Sequence, residues 1–200
     1  MENIQLTSEF DSWSLTEKNS PKFSAMKVYN LLKKGPLAHH IFPQIWKSAT
    51  MLRYNIFFWL LLKDRLNTRN LLQRKTFILP DYSCVLCNAK MEETIHHLFW
   101  DCRFALSCWD AICQGKRRGF SVLEESVLAM QSLPKYIAMD IVILGCWNIW
   151  MQRNGKIFND IRPSLNSWRH MLKHDLQILS YRIKSKNLAD LKEWMNSVLS

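Results

Sequence analysis

Three cysteines and a pair of histidines lie close together near the middle of the sequence. Cys84 and Cys87 are separated by two residues, a spacing that lets two thiolates bind one tetrahedral ion from a tight turn. His96 and His97 follow, and Cys102 comes five positions after His97. Three thiolates and one imidazole make a closed four-coordinate shell, which leaves no place for water or substrate and is typical of structural zinc. Soft sulfur ligands also favour zinc over magnesium or calcium.

Two alternatives at this cluster stay open on spacing alone. His96 and His97 differ by about 100° around a helical turn, so we expect only one of them to reach the ion. Cys84 and Cys87 could instead form a redox pair, although such pairs usually start a helix after a strand in a βαβ pattern, which this sequence lacks. The other cysteines are predicted to be small core residues: Cys108, Cys113 and Cys146.

The composition predicts a packed, mainly α-helical protein. Of the 200 residues, 48% are hydrophobic and 22% are charged, a balance typical of a globular core and not of disorder. Five glycines and six prolines are too few for a sandwich or barrel built from many tight turns. We therefore expect a helical domain with a small irregular zinc knot and few or no strands.

Apolar periodicity and capping residues place the helices along the chain. Ser121 and Glu124 form a capping box, and a stripe from Leu165 to Ile183 recurs at helical spacing. Gly145 is expected to be tolerated inside a long apolar helix. Helices are predicted at 23–34, 45–62 (one or two), 69–74, 104–114, 122–133, 136–158 and 163–200, the last with Pro163 in its first turn and a break near Lys186-Asn187. Residues 1–22 are predicted to be an irregular extension and 36–45 a loop.

The net charge of +10 favours partners that carry phosphate. RNA or DNA is the expected partner. Trp100 and Trp109 could stack on bases, but core packing is the favoured interpretation for both. The basic residues that flank the knot are the candidate contacts: Arg69, Arg74, Lys75, Arg103, Lys116, Arg117 and Arg118.

Other features argue against several further classes of protein. The apolar runs 56–62 and 136–150 are too short or too interrupted for a membrane span, and the N-terminus lacks a signal-peptide pattern. We therefore expect no membrane partner, reduced thiols, and an intracellular protein that is not secreted, with the nucleus as one candidate compartment. His170 and His174 are one helical turn apart and could bind metal, but no third ligand is in view.

At the cluster the sequence resembles a known domain. The segment Cys84-x-x-Cys87, Glu93-Thr94-x-x-His97-Leu98-Phe99, Cys102 and Trp109 is similar to the reverse transcriptase zinc-binding domain of plant non-LTR (LINE-type) retrotransposons. The resemblance implies that His97, which directly precedes a leucine, is the ligand. It implies a domain at 23–115, followed by a helical region at 116–200. Further matching strings are Phe23-Ser24, Ile45-Trp46, Phe57-Phe58-Trp59-Leu60 and Trp147-x-x-Trp150-x-x-Arg153-Asn154.

The sequence holds no pattern for catalytic phosphoryl transfer. Phosphoryl transfer needs clustered carboxylates, yet the acidic pairs Glu92-Glu93 and Glu124-Glu125 have no third acid nearby, and no glycine-rich phosphate loop is present. We expect a non-catalytic accessory module with one structural zinc and no small-molecule substrate, which contacts RNA or DNA. The alternative is a structural or protein-interaction remnant that packs against a polymerase domain or self-associates. A thiol oxidoreductase using Cys84 and Cys87 is the third hypothesis.

Overall fold

Helices make up most of the molecule. The structure is a computed structural model that describes residues 40–113 and 121–199, and these residues contain no named β-strand. The predicted mainly α-helical fold is therefore confirmed. The predicted helix at 23–34 and the extension at 1–22 lie outside the described residues. The helices are α1 (Ile41–Ile45), α2 (Leu52–Leu62), α3 (Arg69–Arg74), α4 (Arg103–Asp110), α5 (Val122–Gln131), α6 (Ala138–Asn159), α7 (Leu165–Ser180) and α8 (Ser185–Val198), with a π-helical turn at His97–Asp101.

Several helix boundaries differ from the predicted ones. Residues 41–45, predicted to be a loop, form α1, and the apolar run after it becomes helical only at Leu52, because residues 46–51 form a turn followed by bends and irregular backbone. Pro163 precedes the first turn of α7, since Ser164 is the cap and its hydroxyl accepts a hydrogen bond from the Ser167 amide. The break before α8 lies at 181–184, a few residues earlier than predicted.

The cap residues read from the sequence begin their helices as expected. Thr68 caps α3, its Oγ1 accepting from the Leu71 amide at 3.3 Å. Ser121 caps α5, its Oγ accepting from the Glu124 amide at 3.2 Å. Each cap satisfies one amide that has no partner within its helix, which explains why these two starts are readable from sequence.

Helix α6 lies at the centre of the core and packs against α2, α4, α5 and α7. Its residues from Ile141 to Leu144 are all buried, so it is apolar around most of its circumference, as a central helix must be. Helix α7 adds a buried stripe at three- and four-residue steps, formed by Trp168, Leu172, Leu176 and Leu179. Helices on both sides of the predicted domain boundary at 115/116 thus share one core.

Gly145 of α6 lies directly against the ring of Trp109 on α4. A Cβ at this position would lie 2.9 Å from Cη2 and 3.2 Å from Cζ3 of Trp109. Trp109 cannot easily move, because its indole N–H donates to the Phe99 carbonyl at 2.7 Å and its ring stacks on Trp100 at 4.6 Å. The absence of a side chain at Gly145 is therefore a packing requirement.

We predict that Gly145→Ala destabilises the protein although alanine is the better helix former. The overpacking cost of about 1–3 kcal/mol exceeds the helix-propensity gain of about 1 kcal/mol. Gly155→Ala in the same helix is the matched control, because its added Cβ would meet only Ile161 at an ordinary 3.7 Å. Urea unfolding should show a lower midpoint for Gly145→Ala alone. Equal midpoints for the two variants would contradict this packing.

Asp140 is a buried carboxylate in the first turn of α6. Its Oδ1 accepts hydrogen bonds from the Ser48 hydroxyl at 2.8 Å and the Ala49 amide at 2.7 Å. Burial raises the pKa of Asp140, and the hydrogen bonds from Ser48 and Ala49 oppose that shift. Its ionisation is therefore linked to stability with a defined sign.

Because the pKa of Asp140 is higher in the folded state, protonated Asp140 contributes fully to the free energy of unfolding below the unfolded-state pKa of about 3.9. That contribution is lost as pH rises through the folded-state pKa. Asp140→Asn keeps one amide oxygen as acceptor but does not ionise. Its free energy of unfolding should therefore increase relative to that of the parent as pH rises from acidic values to 7. Asp160→Asn is the opposite control, because the hydrogen bond from Lys156 lowers the pKa of Asp160. Urea unfolding across this pH range should show that the difference in free energy of unfolding between variant and parent changes with pH in opposite directions for the two variants. Parallel slopes would refute the assignment.

Candidate metal centre

A small hairpin presents the first two cysteines. The Cys84 amide donates to the Met91 carbonyl at 2.8 Å, and the Glu93 amide donates to the Tyr82 carbonyl at 3.0 Å. Between these bonds, Ser83 and Glu92 form an isolated antiparallel bridge. The hairpin closes the chain around Cys84 and Cys87, so that both sulfurs point to the same side of a tight turn.

A π-helical turn presents the other two side chains. The Cys102 amide donates to the His97 carbonyl at 2.7 Å, a hydrogen bond that spans five residues instead of four. Along an ordinary α-helix, residues five apart are rotated by about 140° from each other. The widened turn reduces this offset and brings His97 and Cys102 to one site. Such turns occur frequently at functional sites.

The four side chains converge as the spacing predicts. One ligand atom from each of Cys84, Cys87, His97 and Cys102 lies within 4.8 Å of the others. The Cys84 and Cys102 sulfurs are 3.8 Å apart, and the Cys87 sulfur is 3.4 Å from Nε2 of His97. The sulfur pair is too far apart for a disulfide, whose S–S bond is about 2.05 Å.

These distances fit a tetrahedral zinc ion. With Zn–S bonds of about 2.3 Å and Zn–N bonds of about 2.0–2.1 Å, a tetrahedron separates two sulfurs by about 3.8 Å and a sulfur from a nitrogen by about 3.6 Å. Both observed separations are close to these values. Cys84, Cys102 and His97 are buried and Cys87 is half-buried, so water has little access to the centre of the cluster. The geometry and the donor set therefore both suit a structural metal.

The thiols influence one another electrostatically. The hydrogen bond from Cys84 lowers the pKa of Cys102 to about 4, and the same bond together with burial raises the pKa of Cys84. Burial also raises the pKa of Cys87. Three thiolates in one buried space repel each other, so a divalent cation is needed for all three to ionise together.

The structure distinguishes the two adjacent histidines. His97 turns its Nε2 into the cysteine cluster, and its amide donates to Thr94 Oγ1 at 3.0 Å. His96 instead places Nδ1 2.7 Å from a carboxylate oxygen of Asp101. The choice of His97, which the sequence left to the family resemblance, agrees with this arrangement.

Sequence reasoning gave no role to the charged pair beside the cluster. Glu93 is fully buried, and its Oε1 accepts from Nη2 of Arg153 at 2.7 Å and from Nε at 3.2 Å. The Arg69 amide donates to the same oxygen at 3.0 Å. Both Glu93 and Arg153 occur in the strings that carry the resemblance, which was the only signal available for them.

The basic residues proposed as nucleic-acid contacts divide into four groups. Arg69 is half-buried and donates to the Ser83 carbonyl at 2.8 Å, so it supports the hairpin. Arg74 pairs with Asp64 at the surface. The side chains of Lys75 and Arg103 are exposed, and Lys75 donates to Asn67 Oδ1. Lys116, Arg117 and Arg118 lie outside the described residues.

The two tryptophans considered for base stacking are both buried. Trp109 has no exposed surface and Trp100 is 3% exposed, because the two rings stack on each other inside the core. Their burial agrees with core packing, the favoured interpretation, and leaves no ring face for a base. In the described part of the chain, the Cys84 cluster is the one group of three or more potential metal ligands, so His170 and His174 gain no third ligand.

A comparison with protein families supports a metal-binding role for the cluster. Residues 23–109 match the family model described as zinc-binding in reverse transcriptase, a segment that contains all four converging side chains and ends at Trp109. No curated protein and no solved structure matches the chain. The match and the geometry together fit a zinc-binding module. None of the helices in residues 40–113 and 121–199 is both long and apolar enough to cross a membrane.

Proposed function

We propose that this chain is a zinc-dependent, non-catalytic accessory module that derives from the reverse transcriptase of a plant non-LTR retrotransposon and contacts RNA or DNA. One structural zinc is held by Cys84, Cys87, His97 and Cys102. The observation that carries the zinc part is the near-tetrahedral spacing of these side chains within the segment that matches the family. The site has no open coordination position, which supports a structural role over a catalytic one.

Charge supports the nucleic-acid part of the proposal. The chain carries a net charge of +10, and Lys75 and Arg103 are exposed near the zinc-binding segment. Because Trp100 and Trp109 are buried, the contact is expected to be mainly with phosphates, with little base stacking. A phosphate contact of this kind is sequence-independent, and its affinity falls as salt rises.

The test is a salt titration of binding to labelled single-stranded RNA and DNA. Lys75→Gln/Arg103→Gln should weaken binding and reduce the slope of log affinity against log salt by about one to two units. The matched control is Lys186→Gln/Lys192→Gln, which removes the same charge from exposed positions of α8. A salt-independent affinity, or an equal loss in the control, would refute this contact surface.

A protein-interaction module is the second candidate. Leu52, Ile56 and Trp59 form an exposed stripe along α2 and are 64%, 42% and 36% accessible. Exposed apolar stripes of this kind mark protein contacts, here with a reverse transcriptase polymerase domain or a second copy of the chain. Sedimentation at increasing concentration tests self-association, and a monomer at all concentrations would argue against that form of the hypothesis.

A further inference from the structure

The ion pair between Glu93 and Arg153 joins the metal-binding segment to the central helix. The two side chains are 0% and 5% accessible, and the residues are 60 positions apart in sequence. Removing two charges from water is costly, so such a pair persists only when its hydrogen bonds are largely complete. A charge pair buried to this degree is therefore expected to have a specific structural role.

Further contacts hold the pair on both sides, although Oε2 of Glu93 is buried without a hydrogen-bond partner among the described residues. The Glu93 carboxylate also accepts from the Arg69 amide, at the start of α3. Arg153 also contacts the Asn67 carbonyl at 3.4 Å, and its guanidinium lies 4.7 Å from the centre of the Trp150 ring. The pair thus connects three segments: the loop before α3, the residues between the ligands, and the C-terminal half of α6.

Glu93 lies at the point where the two halves of the metal site meet. Its amide closes the hairpin that carries Cys84, through the bond to the Tyr82 carbonyl. The side-chain Oγ1 of its neighbour Thr94 accepts a hydrogen bond from the His97 amide at 3.0 Å. Moving the Glu93 backbone would therefore shift the Cys84 side and the His97 side of the cluster relative to each other.

We propose that Arg153 is a positioning residue of the metal centre. By holding the buried Glu93 carboxylate, it fixes the distance between the hairpin and the π-helical turn, although it lies beyond the matched segment 23–109. This inference rests on the zinc part of the proposed function. Because coupling between two sites is reciprocal, the metal also stabilises the docking of the end of α6.

The first test compares zinc affinity, by chelator competition, in the parent chain, Arg153→Met and Lys156→Met. Lys156 is the matched control, because it lies on the same helix and its ion pair, with Asp160, is at the surface. Arg153→Met should weaken zinc binding by about 10–100-fold, as removal of an outer-shell partner does. Lys156→Met should leave the affinity unchanged. The cobalt(II) absorption bands should shift in Arg153→Met only.

A double variant tests the pairing itself. Glu93→Leu/Arg153→Met removes both charges, so it should recover part of the affinity that Arg153→Met loses. Equal zinc affinity in the parent and in Arg153→Met would overturn the inference and leave the zinc-binding function intact. Failure of the parent to bind zinc would overturn both.

Hydrogen exchange on the unmodified chain covers the case in which Arg153→Met does not fold. Zinc removal should accelerate hydrogen exchange of the amides at residues 149–156 by about 10–100-fold, the same factor by which Arg153→Met is expected to weaken zinc binding. Amides of α8 around Leu191 should change much less, because α8 has no contact with the pair among the described bonds. Unchanged exchange at 149–156, or equal acceleration in α8, would overturn the coupling.

Discussion

Replacing Cys102 with serine is expected to abolish zinc binding and to lower the melting temperature by about 10 °C or more. A serine hydroxyl does not ionise near neutral pH, so the site keeps only three ligands. Structural zinc contributes about 10–16 kcal/mol in finger peptides, and losing even a quarter of that would lower the melting temperature of a chain of this size by about 10 °C. Calorimetry with elemental analysis measures both effects.

The matched control is Cys108→Ser. Cys108 is a buried cysteine on α4, six positions after Cys102, that does not belong to the cluster of four ligands, and burial raises the pKa of its thiol. This variant should lose some stability, because it buries a hydroxyl, yet it should bind zinc like the parent. Normal zinc binding by Cys102→Ser would show that Cys102 is not a ligand.

Trp109→Ala is the core substitution with the largest expected effect, about 3–5 kcal/mol. Trp109 fills the space against Gly145, stacks on Trp100 and donates to the Phe99 carbonyl. That carbonyl belongs to the π-helical turn between His97 and Cys102. The substitution should therefore weaken zinc binding as well as global stability. Denaturant unfolding and chelator competition measure the two quantities.

Two variants separate the contributions at this position. Trp109→Phe keeps an aromatic ring but loses the N–H, leaving the Phe99 carbonyl without that donor, so an intermediate loss of about 1–3 kcal/mol is expected. Trp46→Ala is the tryptophan control, because its side chain is 49% exposed and its loss should cost little. Equal losses for Trp46→Ala and Trp109→Ala would contradict the packing.

The metal cluster was readable because its chemistry depends on local spacing. Cys84 and Cys87 need only a tight turn, and the hairpin supplies it. The step from His97 to Cys102 was less predictable in form, since regular helical periodicity would turn these side chains apart. Within the single wide turn that corrects the rotation, the Phe99 carbonyl accepts the Trp109 N–H, a contact that sequence spacing does not reveal.

Burial of individual tryptophans and charges was the main feature that the sequence could not give. Trp109 is buried where α4 packs against Gly145 of α6, whereas Trp46 is half exposed. Glutamate and arginine usually lie at the solvated surface, so the burial of Glu93 and Arg153 is explained only by their pairing across 60 positions of sequence. Such contacts depend on tertiary packing, whereas helix caps such as Ser121 depend on their neighbours in sequence and were predicted correctly.

The most direct test of the central claim is the zinc content of the intact chain, purified without chelator and measured by elemental analysis. The near-tetrahedral cluster predicts about one zinc per chain, lost together with ordered packing around residues 84–102 when a strong chelator is added. A folded chain that contains no zinc and takes up none from solution would contradict the account.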